Sequence, residues 1–253
     1  MIHAIWQTER VHTGHEEYII PKGVVEVIFN FGDSLAFPAQ LGTKLNQLSS
    51  CFINGFNTAP IRLQLPNHQV FFGVIFQPLA TKRIFKTPAS EFSDITVDLI
   101  HLHPAFHSLW HQLAEQSNFP GRVSVFLGWL RKNLIDWQPQ EQLMNNFLYD
   151  VNRGQPSVAE LAGSLCYSPR HLSRKLAEVT GMNTEELLLY KKYLHATELI
   201  QQDKLSLTEI AYQSRFSDQS HFIKTFKAYA EITPGEYRRA KSMVKGHIYK
   251  DVR

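Results

Sequence analysis

A duplicated segment constrains this chain more than any other feature. With Ser157 set over Ser206, two stretches match at an offset of 49: Glu160 meets Glu209, Leu161 meets Ile210, Ala162 meets Ala211 and Tyr167 meets Phe216. One extra residue then shifts the offset to 50, and Leu172 meets Phe222, Arg174 meets Lys224, Leu176 meets Phe226 and Glu186 meets Glu236. Each copy reads as a short helix, a tight turn and a second helix, with Ala162 or Ala211 where the two helices must approach closely. The helix starts are legible too. Segments opening at Ser157, Asn183, Ser206 and Thr233 each place a capping oxygen three residues before a glutamate, which satisfies orphan N–H groups reciprocally. Ser168 followed by Pro169 marks a fifth start.

The spacer between the copies, "NTEELLLYKKYLHATELIQQ" (Asn183 to Gln202), consists of good helix formers. A continuous helix of about twenty residues spans ~30 Å at ~1.5 Å per residue. One turn of duplex DNA is ~34 Å, so such a rod can hold two second helices over successive major-groove openings on one face. The charge distribution agrees. Residues 1–150 hold 10 Lys and Arg against 12 Asp and Glu (10 − 12 = −2), and residues 151–253 hold 16 against 11 (16 − 11 = +5). Alone, an excess of that size describes a solvated helical surface equally well.

With 253 residues the chain has room for two ordinary domains, and 43% hydrophobic with 19% charged residues excludes disorder and fibrous classes. The first hundred residues are β-rich in character: "VVEVIFNFG" (Val24 to Gly32), "IRLQL" (Ile61 to Leu65) and "QVFFGVIFQP" (Gln69 to Pro78) carry branched and aromatic residues between turn formers. A sandwich or small barrel buries such strands. Helical periods follow in "PLATKRIFK", at Pro104 to Gln116, at Pro120 to Ile135 and at Gln140 to Val151. Within the third of these, Val123, Phe126, Leu127, Leu130 and Leu134 form one apolar stripe, which either packs on its own domain or pairs with a second copy of the chain. The polar "NRGQP" (Asn152 to Pro156) is the expected junction, dividing a β-rich domain with trailing helices (1–151) from an all-helical one (152–253).

No apolar run approaches the ~20 residues of a membrane span, and the start "MIHAIWQTER" lacks the pattern of a signal peptide, so a cytoplasmic protein is expected. Cys51 and Cys166 lie 115 positions apart without metal or redox spacing, and no disulfide between them is expected.

The segments "AELAGSLCYSPRHLSRKLAEVTGM", "EIAYQSRFSDQSHFIKTFK" and "TPGEYRR" make residues 157–239 resemble the DNA-binding domain of AraC/XylS-type transcription regulators. The resemblance implies a fold of two helix-turn-helix units on a linker helix, each second helix entering the major groove of double-stranded DNA at one of two adjacent turns. Base-reading positions carried over from it are Arg170, Ser173 and Arg174 in the first copy and Gln219, Ser220, Ile223 and Lys224 in the second. Their chemistry agrees: Arg and Lys suit guanine acceptors, Gln suits adenine and Ile can touch a thymine methyl. Where the pattern has glycine this sequence has Cys166, Arg215 and Glu231, and only Gly181 is kept. Arg215 directly precedes the Phe216–Ser217 turn, within reach of a phosphate. The N-terminal segments "PKGVVEVIFNFGD", "INGFNTAPIRLQL" and "GVIFQPLATKRIFKTPASEFSDITVDL" resemble an uncharacterised β-rich domain found ahead of this DNA-binding domain, where cupin-like barrels often bind an effector or dimerise.

The reading is therefore an α+β two-domain, sequence-specific regulator of transcription whose N-terminal domain senses or dimerises; activation and repression both stay open, RNA polymerase being the partner of an activator, with a small-molecule effector and a second copy of the chain (a homodimer) as candidate partners of the N-terminal domain. No cofactor is expected. Two alternatives are a metal- or small-molecule-binding cupin-like enzyme fused to a DNA-binding domain, and a constitutive DNA-binding protein whose N-terminal domain only dimerises. For a metal, His107 and His111 share one helical face, two imidazoles where a site needs three or four ligands. GxSxG, P-loop and GxGxxG motifs are absent.

Overall fold

The computed structural model describes residues 1–11, 15–38, 45–47, 50–133, 139–149 and 158–251. The expected junction at Asn152 to Pro156, the cap Ser157 and Leu134 lie outside the described residues.

Among the described residues, ten strands form two five-stranded antiparallel sheets. The first takes β1 (Ile2–Val11), β3 (Val25–Asn30), β6 (Cys51–Asn54), β8 (His68–Phe76) and β9 (Thr96–Asp98) in the order β1-β8-β3-β6-β9. The second takes β2 (His15–Ile19), β4 (Ala36–Pro38), β5 (Leu45–Gln47), β7 (Ile61–Gln64) and β10 (His247–Asp251) in the order β10-β2-β7-β4-β5. The three strands expected from sequence are present as β3, β7 and β8. Near-continuous burial along β3 and β8 shows why their apolar runs do not alternate: both faces of the first sheet are covered.

One face of that sheet meets helices. After α1 (Ala80–Ile84) and α2 (Leu99–Leu102) come α3 (Ala105–Ala114), α4 (Phe119–Asn133) and α5 (Pro139–Tyr149). Phe126 of α4 is fully buried, its ring centroid 6.1 Å from those of Phe29 and Phe72 and 6.2 Å from Phe76. Leu130 is buried beside it, and Val123 and Leu127 are partly covered. The stripe on α4 thus packs on its own domain, which removes it as a motive for pairing with a second copy.

Among the described residues from 158 on, six helices follow: α6 (Val158–Ser164), α7 (Pro169–Thr180), α8 (Thr184–Gln202), α9 (Leu207–Gln213), α10 (Gln219–Ala230) and α11 (Pro234–Ala240). The expected capping boxes are formed at Asn183 with Glu186, Ser206 with Glu209 and Thr233 with Glu236. The expectation that everything beyond the junction is helical fails at the end, where β10 pairs with β2 from His247 opposite Ile19 to Asp251 opposite His15. Strand β2 needs a hydrogen-bonding partner on the side away from β7, and the segment after α11 supplies it.

The two halves share one core cluster, running from Val25 and Phe29 to Tyr193 and Phe226. The Tyr190 hydroxyl of α8 accepts from Gly23 N at 3.1 Å and donates to Asn57 O at 2.6 Å, so the linker helix is bonded directly into the β-rich half. Both long unit helices are held at their last turn: Ser90 Oγ donates to Glu178 O of α7 (2.7 Å), and Tyr18 Oη donates to Ala230 O of α10 (2.7 Å).

Candidate nucleic-acid interface

The duplication seen in sequence is repeated in backbone geometry. In the first unit Tyr167 N donates to Ala162 O (2.9 Å) and Cys166 N to Gly163 O (3.1 Å); in the second, Phe216 N donates to Ala211 O (3.0 Å) and Arg215 N to Tyr212 O (2.9 Å). Both alanines are buried, as close helix approach requires. Cys166 and Arg215 hold positive φ, as do Gly181 and Glu231 at the ends of α7 and α10, so the substituted positions keep the glycine conformation. The extra residue of the second copy lies in its turn. Ser168 caps α7 by accepting from His171 N, whereas Asp218, one position beyond the serine at 217, caps α10 by accepting from His221 N.

These caps set the N-terminal halves of α7 and α10 outward. Arg170 and Arg174 are exposed on α7 with Ser173 half-buried between them, and Gln219, Ser220 and Lys224 are exposed on α10 with Ile223 half-buried. Gln219 Oε1 accepts from the Thr208 hydroxyl of α9 (3.1 Å), which orients its amide. Among the described residues, Arg170, Arg174, Arg215 and Lys224 have no ion-pair partner, while Lys175 on the inner side of α7 pairs with Glu178, which also takes Lys82 of α1. Unneutralised cations on the outward ends of both helices are what a polyanion requires. Two residues that sequence reasoning missed lie beside them. Tyr212, 84% exposed, stands out by its exposure, and Lys192 projects from α8 over the Phe216 ring at 6.0 Å.

A second feature lies between the sheets: a cavity of about 1090 Å³. Its apolar part is bounded by Ile28, Phe52 and Phe71 of the first sheet and by Ile61, Leu63 and Leu65 across from them. At its polar part Lys22 Nζ lies 3.1 Å from Glu26 Oε2 and 3.1 Å from His247 Nε2, and His247 Nδ1 lies 2.7 Å from Glu17 Oε1. Lys245 pairs with Glu198 of α8, which also lines the space. Trp6 covers one side, and its indole Nε1 donates to Glu26 Oε1 at 2.7 Å. That position depends on Gly73, where a Cβ would fall 2.1 Å from Trp6 Cε2. Strand β2 separates the cavity from α10: Glu17 and Ile19 face the cavity, while Tyr18 between them reaches Ala230.

His107 and His111 face one another on α3 with Nε2 atoms 3.4 Å apart, and among the described residues no third His, Cys, Asp or Glu joins them. His103, just before that helix, accepts from Ala105 N through Nδ1 at 3.3 Å. Cys51 is buried in β6 and Cys166 exposed in the first turn, and the two are not joined as a disulfide. No helix among the described residues is long and apolar enough to cross a membrane.

Residues 161–240 match the family described as "Helix-turn-helix domain", and residues 1–98 match "Domain of unknown function (DUF6597)". The C-terminal part carries an AraC-type helix-turn-helix domain. Over 83 residues the chain is 41% identical to the HTH-type transcriptional regulator GlxA of Rhizobium meliloti (strain 1021), covering 33% of this chain and 25% of that protein. Over 82 residues it is 32% identical to the HTH-type transcriptional activator AarP of Providencia stuartii, covering 32% of this chain and 61% of that protein. The match therefore spans only about a quarter of the GlxA regulator's length. The two-domain fold as a whole resembles ToxT from Vibrio cholerae, with a TM-score of 0.51 at 15% identity over 93% of this chain and 97% of that one. A ToxT structure bound to (E)-4-(8-methylnaphthalen-1-yl)but-3-enoic acid superposes equally well, with a TM-score of 0.51 at 16% identity.

Proposed function

We propose that this protein is a sequence-specific DNA-binding regulator of transcription whose β-rich half responds to a small molecule. One observation carries the first part: two units of the same turn geometry present α7 and α10 outward, with cations that have no ion-pair partner among the described residues. Arg170 and Arg174 suit guanine, Gln219 suits adenine, Ile223 suits a thymine methyl, and Ser173, Ser220 and Lys224 complete the two reading surfaces. A regulator of this kind works in the compartment that holds the DNA. Recruitment of RNA polymerase fits an activator role of the sort named for AarP. Selection of bound sequences from random duplexes by the full chain tests the proposal. Enrichment of a site with two reading blocks one helical turn apart supports it, and an unenriched pool overturns it.

The cavity supports the responsive part. Its apolar length and charged end suit an amphipathic organic acid whose carboxylate meets Lys22 and Lys245, and ToxT holds an acid of that general type. Thermal unfolding of the full chain against a panel of monocarboxylic acids of increasing chain length tests this, because a ligand bound only by the folded state raises the midpoint.

A further inference from the structure

The linker helix α8 has two functional faces. Tyr190, Leu194 and Glu198 meet the β-rich half, through the bonds to Gly23 and Asn57, the contact against Gly23 and the cavity lining. Lys192 lies two residues from Tyr190 and from Leu194, about 200° around the helix from each, and so occupies the opposite face. There it borders an open cleft of about 600 Å³ with Tyr212, Arg215, Phe216, Ser217 and His221. Neither Lys192 nor Arg215 has an ion-pair partner among the described residues. The nearby carboxylate of Asp218 is already committed, accepting from His221 N at 2.8 Å and from Ser217 Oγ at 3.1 Å. Arg215 holds φ 60° and Cys166 holds φ 55° at the matching place of the first unit, so both turns keep a side chain in the left-handed region, and the second alone places a cation there. The equivalent positions of the first unit are Gly163 and Cys166, which carry none.

We infer that this cleft seats a backbone phosphate of duplex DNA, with Lys192 reaching it from the linker helix. The inference rests on the DNA-binding reading and adds a contact that neither unit makes by itself. When two recognition helices occupy successive major-groove openings, the sugar–phosphate strands bordering the intervening minor groove run past whatever joins the units. Here that is the Lys192 face of α8. Tyr212 packs beside the strand, and Lys192 and Arg215 neutralise it. Such contacts hold the register of the protein on the duplex without reading bases.

Fluorescence anisotropy of the full chain on a 30-bp mixed-sequence duplex, over a series of KCl concentrations, tests this. Each neutralised phosphate contributes roughly 0.9 to the slope of log K against log salt, so Lys192→Gln and Arg215→Gln each reduce the parent's slope by about one and the double variant by about two. Lys192→Arg keeps the parent's slope. Tyr212→Ala weakens binding several-fold with the slope unchanged, and sequences selected by Lys192→Gln match those of the parent. A Lys192→Gln protein with the parent's slope and affinity overturns the inference. So does one that binds DNA as the parent does but fails to activate transcription, since the cleft then receives an acidic protein partner. A parent that binds no duplex at all removes the DNA-binding reading itself, an outcome distinct from a binding parent with indifferent variants.

Discussion

Cys166 and Arg215, 49 positions apart, adopt the same left-handed backbone, at φ 55° and 60°. The turn imposes this geometry whatever residue fills it, because the bonds of Tyr167 to Ala162 and of Phe216 to Ala211 close it in both units. A side chain in that region costs ~1 kcal/mol, partly offset by the freedom glycine brings to the unfolded chain. Arg215→Gly is therefore expected to raise stability by a few tenths to ~1 kcal/mol in chemical denaturation while lowering the salt dependence of DNA binding. Arg215→Ala separates the two effects, losing the salt dependence without gaining stability.

Arg174 and Lys224 occupy equivalent exposed places on α7 and α10. Replacing either with alanine is expected to cost ~1–3 kcal/mol on the best selected site and to relax preference at one base position. Circular dichroism and the unfolding midpoint should match the parent's, since neither side chain has an ion-pair partner among the described residues.

Tyr190 joins the halves through a hydroxyl that is fully buried and doubly bonded, to Gly23 N and Asn57 O. Burial pushes its ionisation well above the ordinary tyrosine value, so it stays a neutral donor across the working range. Tyr190→Phe keeps the ring contacts but leaves a buried N–H and a buried carbonyl unpaired, at ~1–3 kcal/mol. Urea unfolding of the full chain measures the loss, and DNA affinity in low salt should change little.

Much of this was legible in the sequence where local rules decide the outcome. The caps at Asn183, Ser206 and Thr233, the Ser168–Pro169 start and the small Ala162 and Ala211 each act within a few residues, and each appears where expected. What was not legible depends on distant partners. Strand β1 has no clean alternation, because its residues are mostly half-buried along its length, and it is recognised only by its pairing with β8. Strand β10 pairs with a segment some 230 residues earlier, and nothing in "HIYKD" announces that. Lys192 is one charge in a run of good helix formers, and only the fold places Phe216 and Arg215 beside it. The cavity has no motif at all, since six of its apolar walls come from four separate segments.

Because β10 completes the second sheet, deleting residues 247–253 should do more than trim an end. Ile248 is 3% exposed, and losing its burial alone costs ~1.5–3 kcal/mol, with the β2 ladder partners lost in addition. His247 also leaves Glu17 and Lys22. Thermal unfolding should show a clearly lower midpoint. The isolated C-terminal half faces the same problem from the other side, since Tyr190 and Tyr193 would meet water, so it should be less stable than that half within the full chain.

Acid should destabilise the protein in two stages with separate causes. His195 is held below the ordinary imidazole value of 6.5, chiefly by burial, with Arg215 adding to the effect and Glu198 opposing it. The folded state thus resists a proton that the unfolded chain accepts. Its contribution to stability is complete above pH 6.5 and declines as pH falls from there towards the folded value. His3, lowered mainly by burial, adds to the same window. Glu26 acts lower. Burial pushes its carboxyl up, but Lys22, His247 and the hydrogen bonds from Lys22 and Trp6 outweigh this and hold it below 4.5. Its contribution is present above 4.5 and is lost as pH falls through the folded value, a window shared with Glu178 and the capping carboxylates Glu209, Asp218 and Glu236. Stability measured by urea unfolding from pH 8 to 3 should therefore fall first below 6.5 and again below 4.5. His195→Gln should shallow the upper fall and leave the lower unchanged. Glu26→Gln should lower stability at pH 7, where Lys22 loses its carboxylate, and shallow only the lower fall. A single step below 4.5 that is unaffected by His195→Gln would show that the imidazole stays accessible to protons in the folded protein.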